Sequence, residues 1–136
     1  MKTLLVLAIC FIAVQALTIE QRKRLKDYRS QCFSLNSRVD RKLVNELRLG
    51  YFKTENEPLK KYVHCILMKA GLMTASGAFK KDVALAKTLN LADKPEVKKL
   101  LDKCLVHKGR TPQQSAWNYS KCFYQHATKF NETIFQ

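Results

Sequence analysis

The sequence contains no Gly-x-Ser-x-Gly and no His-Glu-x-x-His, and its four glycines gather into no calcium-binding loop. The hydrolase and metalloprotease chemistries those motifs carry are therefore not expected. A small secreted phospholipase would need a histidine–aspartate pair beside such a loop, with adjacent cysteines, and neither is present. The chain is read as a non-enzyme. His64, His107 and His126 are scattered without ligand spacing, so no metal and no cofactor are expected. Solvated imidazoles are the simplest reading of all three. No segment sustains the alternation of a strand, and no repeat, low-complexity tract or long linker interrupts the chain.

What is present begins with an export signal. Met1-Lys2 gives a positive start, Leu4 to Val14 is an unbroken apolar run, and Val14-Gln15-Ala16 offers small residues at the cleavage positions. The run is too short for a membrane anchor, and no later run is long enough to span. Residues 1–16 are expected to be a signal peptide and residues 17–136 one secreted domain. Cys10 falls in the removed segment. Cys32, Cys65, Cys104 and Cys122 remain, an even number in a small exported domain, which reads as two disulfides. Three pairings are open, and spacing does not choose among them.

Charge is lopsided: 25 Lys and Arg stand against 11 Asp and Glu, a net +14. The basic residues are spread, as Arg22-Lys23-Arg24, Arg41-Lys42, Lys60-Lys61, Lys80-Lys81 and Lys98-Lys99. Each group falls on the polar side of its own apolar stripe. No basic block interleaves with aromatics, so no nucleic-acid partner is expected. A cationic helical domain acting on anionic membranes or on a protein partner is the alternative that the charge keeps open, without stable membrane insertion.

Six helices are predicted. Thr18 and Gln21 open the first as a capping box, with Leu25, Tyr28 and Cys32 on one face. Ser37 and Asp40 start the second, whose stripe is Val39, Leu43, Val44 and Leu47, and Gly50 ends it. Asn56 and Pro58 start the third, with Leu59, Tyr62, Val63, Ile66, Leu67 and Ala70 as its stripe and Gly71 as its stop. A short fourth carries Val83, Leu85, Ala86 and Leu89. Asp93 caps the fifth, with Val97, Leu100, Leu101, Cys104 and Leu105 inward. Thr111-Pro112 starts the sixth, where Ala116, Tyr119, Ser120, Phe123 and Tyr124 share a face and Asn118 and Cys122 share another. The fold class is all-α.

These residues resemble an insect odorant-binding protein of the pheromone/general odorant-binding family. The similarity lies in Leu17-Thr18-Ile19-Glu20-Gln21 ahead of Cys32, in Val39 to Phe52 with its Leu49-Gly50-Tyr51-Phe52 ending, and in Tyr62 to Met73 around Cys65. The family's common pattern has six cysteines. Here Lys61 stands four residues before Cys65, and Gln113 nine before Cys122, where the second and fifth would be. Those two are bonded to each other in the family, so their joint absence resembles its four-cysteine, "minus-C" branch. The resemblance implies the pairs Cys32–Cys65 and Cys104–Cys122 and a six-helix fold around an apolar cavity. It also implies a monomer or weak homodimer that carries small hydrophobic molecules through sensillar lymph, haemolymph or a gland secretion.

The candidate ligand-binding residues are Val63, Ile66, Leu67 and Ala70, then Met73 and Phe79, then Leu85 and Leu89, with Trp117, Phe123 and Tyr124. The resemblance implies that the tail with Phe130, Ile134 and Phe135 folds against the cavity as a wall or lid; a dangling or dimer-contacting tail is the alternative. Tyr62, Tyr119, Tyr124 and Ser120 could orient a ligand hydroxyl or carboxylate, but ordinary core hydrogen bonding is the simpler reading of all four. Lysines at a cavity mouth would favour anionic lipids such as fatty acids. Asn118-Tyr-Ser and Asn131-Glu-Thr are sequons; Asn118 is expected to face the fifth helix and escape glycosylation.

Each bridge is expected to stabilise by about 3–4 kcal/mol on the chain-entropy model, and a third would add about 3 kcal/mol. The double substitution Lys61→Cys with Gln113→Cys should form that third bridge, read as the loss of two thiols by mass under non-reducing conditions. Two free thiols in the folded double variant would show the register to be wrong.

Overall fold

The computed structural model describes residues 19–86 and 94–134, excepting the side chains of residues 19, 21, 22, 94 and 127–134. Within them six helices follow one another: α1 (Ile19–Leu35), α2 (Arg41–Arg48), α3 (Glu57–Lys69), α4 (Lys81–Ala86), α5 (Lys94–Cys104) and α6 (Pro112–Ile134). No strand occurs among the described residues; one isolated antiparallel bridge joins Met73 to Phe79. The expected all-α class is the observed one.

Most helix ends fall where the punctuation placed them. Asn56 caps α3 by accepting from the Leu59 amide at 2.9 Å, with Pro58 in the first turn. Thr111 Oγ1 accepts from the Gln114 amide at 3.0 Å at the start of α6. Gly50 and Gly71, at φ of +89° and +75°, turn the chain out of α2 and α3. The second helix differs. It starts at Arg41 with Asp40 as its cap, accepting from the Lys42 amide, and not at Ser37. The Val39 amide bonds back to the Asn36 carbonyl instead, making a turn of the expected first residues. Thr18 and Asp93, the expected caps of the first and fifth helices, lie outside the described residues.

Helix α3 is the centre. Leu59, Tyr62, Val63, Cys65, Ile66 and Leu67 are buried, and so are Lys60 and His64 between them. A stripe reading assumes one wet side, but here only Lys61 is exposed in the stretch from Leu59 to Leu67. The most extensive helix pairing sets α3 against α6; α1 packs on α3, and α5 packs on α6 and α4. Two disulfides fasten this arrangement. Cys32–Cys65 ties α1 to α3 with Cα atoms 5.7 Å apart, and Cys104–Cys122 ties α5 to α6 at 5.5 Å. These are the pairs the resemblance implied. A Lys81–Asp102 ion pair adds a surface link from α4 to α5.

No disulfide crosses the α3–α6 seam; a polar chain does. Lys60 was expected on a solvated face, yet it is 8% exposed, its ammonium 3.0 Å from Glu55 and 3.2 Å from Glu57. The aliphatic stem lies in the protein while paired carboxylates hold the charge at the edge. Glu55 also accepts from Gln114 Nε2 at 3.4 Å, which in turn donates to Asn118 Oδ1 at 2.8 Å. The segment before α3 is thereby tied to the first turns of α6.

The hydrogen bond from Lys60 holds Glu55 below its ordinary carboxylate value. The reciprocal bond from Glu55 holds Lys60 above its ordinary range. A depressed carboxylate contributes stability that is complete above its unfolded value, about 4.5, and is lost as pH falls through the folded one. The Lys60 contribution is complete below its unfolded value and fades as pH rises through the folded one. In urea titrations the stability gap between wild type and Glu55→Gln should hold steady between about pH 4.5 and 10.5 and shrink on acidification. A gap independent of pH would remove Glu55 from the seam.

Candidate functional site

The apolar residues marked out in the sequence converge on the α3–α6 seam. Val63, Leu67 and Phe123 are fully enclosed, Ile66 and Trp117 are 1% exposed, and Met73 is 3% exposed. Ala70, Phe79, Leu85 and Tyr124 are partly buried and pack on the same cluster. The loop after α3 delivers Met73 and Phe79 through a tight reversal. Thr74 N–H donates to the Ala78 carbonyl, Lys80 N–H to the Leu72 carbonyl, and Gly77 takes a φ of +99°. Leu89 and Phe135 lie outside the described residues. The chain after Cys122 continues α6 through Ile134, so Phe130 and Ile134 stand on that helix, with side chains outside the description.

Two aromatic groups flank α6. Phe52, just before α3, meets Trp117 edge-on at 5.1 Å and lies 6.0 Å from Tyr124. Phe79, just after α3, meets Tyr119 edge-on at 6.0 Å and Phe123 at 5.6 Å. The chain on either side of α3 thus grips α6 from both sides. At about 100° per residue, the order around α6 is Tyr119, Phe123, Ala116, Ser120, Tyr124, Trp117. The small residues Ala116 and Ser120 therefore form a furrow between two aromatic ridges. Phe52 was not among the sequence candidates. It lies between the Gly50 stop and the Asn56 cap, outside every expected stripe, and the fold turns it onto Trp117.

The polar side chains divide sharply. Burial pushes the Tyr62 hydroxyl up to about 12, so it stays a neutral phenol throughout ordinary pH. Tyr124 donates to the Leu49 carbonyl at 2.7 Å. Asn118 donates to the His107 carbonyl at 3.1 Å, towards the end of α5, as its expected orientation required. His64 departs from the solvated reading. It is 2% exposed, and its Nε2–H donates to the Thr74 carbonyl at 2.9 Å, fixing the loop that carries Met73. Trp117 Nε1 and Ser120 Oγ, both buried, have no hydrogen-bond partner among the described residues.

Two open grooves mark the described surface. One, of about 420 Å³, is lined by Gly50, Tyr51, Phe52, Lys53, Lys121 and Gln125. The other, of about 290 Å³, runs along Leu35 to Arg38 with Glu57, Pro58 and Lys61. Both are polar-edged and shallow, unlike an enclosed apolar site. Cys104, Cys122 and His126 bring their ligand atoms within 4.8 Å of one another. The two sulfurs are bonded to each other, so they are not thiolates available to a metal.

Comparison with known proteins bears on this arrangement. Residues 14–126 match the sequence profile of the PBP/GOBP family. The B1 protein of Tenebrio molitor is 28% identical over 129 residues, which cover 93% of this chain and 96% of that protein. The B2 protein of Tenebrio molitor is 28% identical over a stretch of the same length, covering 98% of its own chain.

The ridge formed by Phe52, Trp117 and Tyr124 depends on a glycine. A Cβ built at Gly50 would overlap the Tyr124 ring, whose hydroxyl is already held by Leu49, and the backbone there is left-handed. Gly71 has the same handedness but open space around its Cβ position. Gly71→Ala should cost about 1–2 kcal/mol from backbone strain alone. Gly50→Ala should cost about 3 kcal/mol or more, because the displaced ring adds its own penalty. Equal midpoints in chemical denaturation would show that Tyr124 is not held against this turn.

Proposed function

Because the chain belongs to the PBP/GOBP family, we propose that it is a secreted carrier. It would hold small hydrophobic molecules (odorants, pheromones or lipids) between its helices and move them through aqueous fluid. Residues 1–16 serve as the signal peptide in this reading, and residues 17–136 are the carrier domain of the four-cysteine, minus-C type. The observation that carries it is the convergence of Val63, Ile66, Leu67, Met73, Trp117 and Phe123 on one buried seam within a chain of this family.

The physical logic is transfer of ligand surface out of water, worth about 25 cal/mol per Å² before ordering costs are subtracted. A ligand entering between α3 and α6 separates residues already in contact, so the seam must open. The family's third bridge would tie these two helices. With Lys61 and Gln113 in its place, the connection left between them is polar and partly solvated. Such a seam yields more readily than a covalent one, and a more adaptable site follows. Ala70, Phe79, Leu85, Leu89 and Tyr124 would flank the ligand, and Phe130, Ile134 and Phe135 would close over it. The carrier acts as a monomer or weak homodimer and needs no cofactor.

No helix among the described residues is long and apolar enough to cross a membrane. The basic side chains Lys23, Arg24, Lys98 and Lys99 are exposed on separate helices, consistent with solvation rather than one membrane-facing patch. Oxidised, delipidated protein of residues 17–136 should bind an environment-sensitive apolar fluorophore saturably, near one per chain. Apolar small molecules should displace it. Absence of saturable binding in a folded sample, with salt-sensitive adsorption to anionic vesicles, would replace the carrier with a membrane-active protein.

A further inference from the structure

From two buried polar atoms on α6 that have no partner among the described residues, we infer that Trp117 Nε1 and Ser120 Oγ are the polar anchor for a ligand oxygen. The ligand class is a neutral, singly oxygenated aliphatic molecule: an alcohol, an aldehyde or an ester. The inference rests on the carrier reading above and deepens it.

Trp117 is 1% exposed and Ser120 fully enclosed, yet neither the indole N–H nor the hydroxyl has a hydrogen-bond partner among the described residues. Buried polar groups are nearly always satisfied, so two orphans on adjacent turns of one helix require a cause. They stand three residues apart, a spacing that places side chains side by side along a helix. Ser120 lies at the middle of the furrow, and Trp117 forms one of its walls against Phe52. An apolar chain laid along that furrow would bring a terminal oxygen within reach of both groups once the seam opens.

Chemistry then selects the class. An indole N–H only donates, and a serine hydroxyl donates and accepts. An alcohol oxygen can accept from Trp117 and donate to Ser120; a carbonyl oxygen can accept from both. A hydrocarbon satisfies neither group. A carboxylate would be taken from water to two neutral donors at an enclosed position, which is strongly unfavourable. This outweighs the preference for anionic lipids that the net charge suggests, because those lysines act from the surface, through solvent.

The chain has a single tryptophan, so its indole N–H gives one proton–nitrogen NMR signal that needs no assignment. The probes are decane, 1-decanol, decanal, methyl decanoate and decanoic acid, titrated at neutral pH against wild type and Ser120→Ala. The oxygenated neutral molecules should bind on the order of tenfold more tightly than decane or decanoate, and should move the indole signal downfield. Ser120→Ala should lose most of that preference, keep its affinity for decane, and unfold at a higher temperature when empty. An oxygen preference unchanged in Ser120→Ala would overturn the anchor. So would an indole signal that moves equally with decane and decanol, as expected if the polar pair holds only a buried water. Saturable binding without any oxygen preference would overturn the anchor while leaving the carrier standing. No saturable binding of any probe would overturn both.

Discussion

From Leu59 to Leu67 the central helix exposes only Lys61 to solvent, and everything else in the fold answers to that burial. A helix wetted on one side can rest on a single partner. A helix enclosed on nearly every side needs neighbours all around it, and this chain supplies them in sequence order. Helix α1 is fastened to α3 through Cys32–Cys65, the loop after α3 doubles back through the Met73–Phe79 bridge, and α6 covers the largest remaining face. The cost of enclosing a lysine and a histidine in this helix is offset locally. Lys60 keeps its charge at the edge between Glu55 and Glu57, and the buried His64 ring is satisfied by donating to the Thr74 carbonyl.

The two disulfides divide the work unevenly. They join α1 to α3 and α5 to α6, so the molecule consists of two stapled pairs meeting along a seam that no covalent bond crosses. That seam is held by apolar packing, by Phe52 and Phe79 gripping α6 from opposite sides, and by the Lys60–Glu55–Gln114–Asn118 chain. Apolar contact is non-directional, so it tolerates sliding and re-packing in a way that a disulfide does not. The polar chain lies at one end of the seam, beside the starts of α3 and α6.

Much of this was legible in the residues. Caps and stops at Asn56, Thr111, Gly50 and Gly71 announced themselves because each performs a local task that few residue types can do. The stripes on the third, fifth and sixth helices were visible for the same reason. What sequence could not supply was the number of sides on which a helix is covered. Lys60 and His64 fell off the apolar stripe and were read as solvated, although α3 has almost no solvated side. Phe52 belongs to no expected stripe, and its contact with Trp117 depends on how the chain turns at Gly50 under Tyr124. The second helix began later than expected because Ser37 and Asp40 are both competent caps, and only the turn at Asn36–Val39 decides between them.

Tight burial and ligand capacity pull in opposite directions along the α6 furrow. Leu67, Val63 and Phe123 are fully enclosed, which favours a filled core in the empty protein. The same packing seals in Trp117 Nε1 and Ser120 Oγ without partners among the described residues, at about 1–3 kcal/mol for each unsatisfied group. An ordinary core of these dimensions would hold alanine and phenylalanine at the two positions and be more stable for it. Keeping the polar atoms makes the closed state less favourable relative to any state in which a ligand oxygen reaches them. The core is therefore not optimised for stability at these two positions. Its deficit is concentrated on the helix face where an entering molecule would have to lie, and beside the seam that lacks a covalent tie.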